Sequence, residues 1–180
     1  MSEITDAPLA IPPAPFDLLG DPLDFFVADH LRHRTAFAFI EYLANRDTPD
    51  RAAVTQAIIF LEKDMVAHVL DEEEDLFPLL RRRCEPEDAI ELVLGDLSAE
   101  HTAEERIALD IRVGLAQALE VNCAIIEGSG LKERMLAFAN AETRHLALEN
   151  GIVLPLAWAR LTEDDLRDLS RSMVRRRSVG

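Results

Sequence analysis

Residues 68–80 read HVLDEEEDLFPLL and residues 145–157 read HLALENGIVLPLA. In both, a histidine is followed by glutamate at +4 and proline at +10, so His68, Glu72 and Pro78 correspond to His145, Glu149 and Pro155. Residues four apart on an α-helix lie one turn along and about 40° around, which lets each His–Glu pair point together into a core. Alternation of apolar and polar residues, the mark of a half-buried strand, is hard to find anywhere in the chain. An all-α fold follows, with Pro78 and Pro155 expected to kink their helices.

One segment earlier in each case stands an acid–His pair, Asp29-His30 in DHLRHR and Glu100-His101 in AEHTAEER. The offset is 71 residues from His30 to His101 and 77 from His68 to His145. Each half is therefore a helical hairpin, and the two would pack about a pseudo-twofold axis. The expected helices run over 21–45, from Thr48 or Asp50 to 83, from Glu85 or Pro86 to 120, and over 131–159. A short fifth starts at the capping-box spacing of Thr162 and Asp165 and ends in a basic RRR. The CEP stretch at 84–86 and GSG at 128–130 supply breaks, and Gly95 and Gly114 are weak points. Four long helices and short loops predict an up-down-up-down four-helix bundle with a short C-terminal fifth helix. Residues 1–20, with Pro8, Pro12, Pro13 and Pro15, read as an extended proline-rich arm, and 21–180 as one domain.

The chain has 180 residues, enough for one core, and a formal net charge of −15. That field repels nucleic-acid phosphate and anionic lipid, so no nucleic-acid or membrane partner is expected. No apolar run reaches the roughly 18 residues of a membrane span, and the N-terminus has neither the basic nor the apolar region of a secretory signal. Cys84 and Cys123 are too few and too far apart for a disulfide framework or a paired-cysteine zinc site. A cytoplasmic protein with reduced thiols is the expectation.

His30, His68, His101 and His145 fall one on each long helix. With Glu72 and Glu149 they offer four imidazoles and two carboxylates, more than one metal takes while keeping a reactive position open. Two ions bridged by the glutamates use them naturally. The absence of thiolate suits iron or manganese. His101-x3-Glu105 adds a further group, and Glu105 reads as a ligand, as an outer partner of His101 or as a solvated helix residue. His33 has no histidine counterpart in the second half and reads as an outer or surface residue. Glu73, Glu74 and Asp75 are expected to face water. Phe26, Phe37, Phe60, Phe77 and Phe138 are expected in the core, and Arg81–Arg83 and Arg175–Arg177 as cations at helix C-termini. The ferritin-type pattern needs two Glu-x-x-His pairs, and only Glu142-x-x-His145 fits.

Taken together, DHLRHR, HVLDEEEDLFPLL, AEHTAEER and HLALENGIVLPLA resemble the hemerythrin-like, or HHE cation-binding, family over about residues 22–177. The resemblance implies a four-helix bundle around a non-haem di-iron centre with an oxo or hydroxo bridge. His30, His68, Glu72, His101, His145 and Glu149 stand at the positions of the family's ligands. Oxygen-carrying hemerythrins have His-x3-His on the third helix, where this chain has His101-x3-Glu105, which argues against reversible oxygen transport. The chain looks more like bacterial relatives associated with dioxygen, peroxide or nitric oxide chemistry and iron handling. The expected cofactor is two iron ions, with manganese or zinc as substitutes, and the expected partner is a small diatomic or peroxide ligand. The alternative is a non-catalytic bundle that buffers iron or holds zinc.

Overall fold

The computed structural model describes residues 10–46, 49–120 and 130–178. Helices dominate, and no strand occurs among the described residues. Helix α1 spans Pro22–Ala44. Proline suits that first position because its missing N–H has no intrahelical partner there in any case. Helix α2 runs unbroken over 51–83, opened by Asp50, whose Oδ2 accepts from the Ala52 and Ala53 amides at 3.0 and 3.2 Å. Helix α3 spans Ile90–Glu120, α4 runs over 131–160 and α5 spans Glu163–Ser178. Thr48, Pro8, Cys123 and the first two residues of the GSG turn lie outside the described residues.

The third helix begins later than its sequence suggests. Pro86–Asp88 forms a separate 3-10 turn, tied by Glu85 N–H to Asp88 Oδ2 at 2.8 Å. Ala89 then takes a left-handed φ of 48°, which breaks the helical phase before Ile90. Gly114 does not interrupt α3. It admits Leu131, since a Cβ there would meet Leu131 Cδ1 at 2.7 Å.

The kinks expected at the two internal prolines take the form of widened turns. Glu72–Leu76 and Glu149–Val153 are π-helical, closed by Phe77 N–H to the Glu72 carbonyl and by Leu154 N–H to the Glu149 carbonyl. Proline lacks an N–H and its ring crowds the carbonyl four residues back, and a wider turn just ahead of it relieves both problems. A third π turn, Phe60–Asp64, contains no proline, and the residues 77 positions on, 137–141, are ordinary α-helix.

Helix α1 packs along α4 and α2, α3 packs along α4 and α2, and α5 lies against α1 and α2. Two apolar clusters form. One gathers Phe37, Ile40, Phe60, Leu115 and Phe138, the other Phe26, Leu76, Phe77, Leu97 and Leu154. Each buried phenylalanine contributes about 1.5–3 kcal/mol by leaving water. The segment after residue 10 lies against this body: Gln56 Nε2 donates to the Ile11 carbonyl at 3.1 Å and Arg32 Nε to that of Pro12 at 2.7 Å. It is not extended throughout, because Phe16–Leu18 is a 3-10 turn.

Helix α5 is held at both ends by ion pairs with α2. The expected capping box forms, with Thr162 N–H donating to Asp165 Oδ2 at 3.0 Å. Asp165 also accepts from Arg82 at 2.6 Å and Arg83 at 2.7 Å. At the far end Arg176 reaches Asp71, Glu74 and Asp75, and Arg177 reaches Asp71 at 2.5 Å. These arginines bind another helix, beyond the dipole role expected from their positions. Glu74 and Asp75 accordingly engage Arg176 as well as water.

Candidate metal centre

Four helices bring one histidine each into a buried polar cluster. Exposure is 1% at His30, 4% at His68, 7% at His101 and 4% at His145, and Glu72 and Glu149 are buried too. The π turns begin at these two glutamates, so each carboxylate sits where its helix widens. Two groups of four result, His30–His68–Glu72–Glu149 and Glu72–His101–His145–Glu149, with candidate donor atoms in each lying within 4.8 Å of one another. Glu72 and Glu149 belong to both.

Outer hydrogen bonds turn the imidazoles. His30 Nδ1 lies 3.1 Å from Asn150 Oδ1, whose amide is oriented by Nδ2 donating to the Leu146 carbonyl at 2.7 Å. His101 Nδ1 donates to Glu73 at 2.7 Å and His145 Nδ1 to Glu100 at 2.8 Å. His68 Nδ1 is 3.3 Å from Asp29. Nδ1 is thus engaged at His30, His101 and His145, while His68 Nδ1 makes no hydrogen bond, and all four Nε2 atoms lie toward the glutamates. His30 Nε2 is 3.8 Å from Glu72 and 3.7 Å from Glu149, and His101 Nε2 is 3.4 Å from Glu72.

Among the described residues, His30 Nε2, His68 Nε2, both Glu72 oxygens and Glu149 Oε2 are buried with no hydrogen-bond partner. Leaving such groups unmet costs about 1–3 kcal/mol each, and a cation between them removes the deficit. The donor set therefore fits a metal pair. The charges show the same tension. Burial alone would lower the His68 pKa, but Glu72, Asp29 and Glu149 outweigh it and raise it to about 10. At His145 burial is likewise overcome, by Glu149, Glu72 and Glu100, and the value rises to about 10. Burial would raise Glu72, but His68, His101 and His30 hold it well below the usual carboxylate range.

Against the family of known sequences, the model of the hemerythrin HHE cation-binding domain matches residues 21–157. The chain belongs to this family. No curated protein matches it. The matched span contains all six clustered residues and stops ahead of α5, so the hemerythrin-type part of the molecule is α1 to most of α4.

The remaining sequence expectations fare differently. Glu105 is exposed and belongs to none of the described clusters, whereas its neighbour Glu104 is buried. From His101, position +4 lies 40° to one side of the helix and +3 lies 60° to the other, and α3 is rotated so that +3 faces the core. Glu105 lines a groove between α2 and α3 of about 430 Å³, whose walls include Leu61, Met65 and Val69 and which reaches His101 and Glu73. Glu73 does not simply face water, because it holds His101. His33 is buried rather than superficial, its Nε2 3.4 Å from Asp29 and its ring centroid 4.4 Å from that of His68. Burial first, and then the charge of His68, push its pKa well below the ordinary value.

The repeat relates several of these residues to one another. The offset of 77 carries Glu73 onto Asn150, and the offset of 71 carries Asp29 onto Glu100 and His33 onto Glu104. His33 thus has a positional counterpart of another chemical type. Asp29–His33–His68 and Glu100–Glu104–His145 are matching outer clusters. Glu142, buried beside Glu104, has no such signal. Its own burial first, and then Glu104, push its pKa well above the usual range.

Proposed function

We propose that the chain is a non-haem di-iron protein whose centre reacts with a small oxidant, namely dioxygen, peroxide or nitric oxide. In this reading His30 and His68 would hold one ion and His101 and His145 the other, with Glu72 and Glu149, common to both groups, serving each. The supporting observation is the pair of buried four-donor groups that share two carboxylates, with inward lone pairs left unmet. The ring of contacts among α1 to α4 is read as an up-down-up-down bundle, with residues 1–20 as an arm and α5 as a brace. Manganese or zinc would meet the same donors.

Two ferrous ions, if bound by these residues, would supply the two electrons needed to reduce a small oxidant. The chain's own groups do the rest. Asn150, Glu73 and Glu100 fix the imidazoles through Nδ1, so Nε2 is presented without rotation. Phe26 against His30 and His68, and Phe77 stacked on His101, keep water from the cluster. The groove between α2 and α3 gives a small molecule an approach to His101. Reduction of peroxide consumes protons, and the buried carboxyls of Glu104 and Glu142, with Glu104 4.0 Å from His145, are the groups placed to supply them.

The test is metal analysis of purified protein together with its absorption spectrum. Two irons per chain with near-ultraviolet and visible bands that bleach on reduction, and that return with peroxide or dioxygen, support the reading. A colourless protein holding zinc alone overturns its redox part and leaves a metal-binding bundle.

A further inference from the structure

The inner donors of the two half-sites are the same in kind, but the groups behind them are not. Behind His101 and His145 stand two carboxylates, Glu73 at 2.7 Å and Glu100 at 2.8 Å. Behind His30 stands the neutral amide of Asn150 at 3.1 Å. Behind His68 stands Asp29 at the longer distance of 3.3 Å, with its charge drawn on by Arg32 at 3.3 Å and shared with His33 at 3.4 Å. A carboxylate accepting the outer N–H of an imidazole makes the inner nitrogen a stronger donor, and loss of such a partner typically lowers metal affinity by about 10–100-fold.

We propose that the two metal positions are inequivalent by design of this outer layer: the His101–His145 position fills first and releases last, and Glu73 and Glu100 are the residues that set the order. The proposal rests on the two-metal reading above. Of the two carboxylates Glu73 carries more weight, because its side chain is 28% exposed against 52% for Glu100, and solvent weakens the latter. Position for position, the difference lies between Glu73 and Asn150, and between Glu100 and an Arg32-compensated Asp29.

Chelator competition on the cobalt(II)-loaded full-length chain tests this, with cobalt absorbance and released metal as readouts. Wild type should give up two ions in two steps separated by at least about tenfold. Glu73→Gln with Glu100→Gln keeps an acceptor for each imidazole but removes both charges. In Glu73→Gln the amide nitrogen can still meet Ser98, now 2.9 Å from Glu73. This double variant should weaken the tight step by about tenfold or more and bring the steps together. Asp29→Asn should weaken only the loose step and spread them apart. Should Asp29→Asn fail to fold by circular dichroism, the Glu100→Gln single variant, changed at the surface, still has to weaken the tight step alone. Two ions leaving wild type in one unresolved step overturns the proposal while leaving the metal pair intact. So does a double variant with unchanged constants. A chain that takes up no cobalt overturns the metal pair itself and this proposal with it.

Discussion

Helices α1 and α2 carry one half of the repeat and α3 and α4 the other, and the two halves agree most closely at their inner face. Acid–His on the first helix and His-x3-Glu with a π turn on the second recur in each. One layer out, the partners diverge: His33 against Glu104, Asn150 against Glu73, and an additional π turn at Phe60–Asp64 against ordinary α-helix at 137–141. Helix α5 adds to the imbalance by sending its arginines to Asp71, Glu74 and Asp75 of α2. In the two-metal reading the inner donors are constrained by what two ions need. The outer positions are free to set charge and proton supply, and they differ.

The largest effect should come from the residues common to both halves. Glu72→Ala or Glu149→Ala removes a carboxylate from both four-donor groups at once. Metal analysis should find the paired site lost, with occupancy falling from two ions per chain to at most one. A variant that retains two ions would break the equivalence of the halves at its root.

The outer position at +3 should separate the halves. His33 is 1% exposed and packs on Phe60 and His68 with ring centroids 4.9 and 4.4 Å away. His33→Ala should leave two ions bound and lower stability by about 2 kcal/mol through the cavity it opens, measured by chemical denaturation of the loaded protein. Equal metal loss would promote His33 to an inner donor. Glu104→Gln, in contrast, changes a buried carboxyl beside Glu142 with little change of volume. It should move the pH dependence of peroxide reactivity more than it moves stability, as stopped-flow absorbance can resolve.

The brace on the first hairpin gives a smaller, pH-dependent effect. The Arg83 hydrogen bond, aided by Thr162 and Arg82, holds the Asp165 carboxyl below its ordinary range. A depressed carboxylate adds stability that is fully present above its unfolded pKa of about 3.9 and is lost as pH falls through that value toward the folded one. Asp165→Asn should therefore cost about 1 kcal/mol near pH 6, with the gap from wild type narrowing below pH 4. Urea denaturation at the two pH values checks the sign. A gap that widens in acid would mean that Asp165 is not ionised in the folded chain.

The helices were legible because punctuation is sparse and each break has a chemical cause: Pro22, Asp50, the Thr162–Asp165 box. The π turns were not, because inserting one residue per turn shifts the apolar period too little to show. Only the prolines six residues beyond Glu72 and Glu149 hinted at them. The six residues that cluster around Glu72 and Glu149 were legible through the repeat. Glu73 was not, because an uninterrupted run of five acids at 71–75 looks like a solvated face, and its contact with His101 joins residues 28 positions apart. Ion pairs such as Arg177 with Asp71 join residues over a hundred positions apart, which no local pattern encodes.

Glu105 carries the smallest expected effect and the sharpest consequence for the comparison with oxygen carriers. The i+4 spacing from His101 made it the natural substitute for the second third-helix histidine of those proteins. In the folded chain it is exposed, at the edge of the groove that runs in to His101 and Glu73, and Glu104 occupies the inward side. Glu105→Gln should leave both ions bound and alter stability by less than about 0.5 kcal/mol. It should also change autoxidation and peroxide rates less than Glu104→Gln does, because solvent screens an exposed charge while the buried pair acts in a medium of low dielectric. If single-turnover kinetics instead show Glu105→Gln to be the more damaging change at full iron occupancy, α3 turns in the loaded protein so that +4 faces inward. The third helix would then approach the carriers' arrangement with a carboxylate where they place an imidazole. If Glu104→Gln dominates, the departure from the carriers lies deeper: the second histidine has no replacement at its own position, and a buried carboxyl one residue away serves the centre from behind His145.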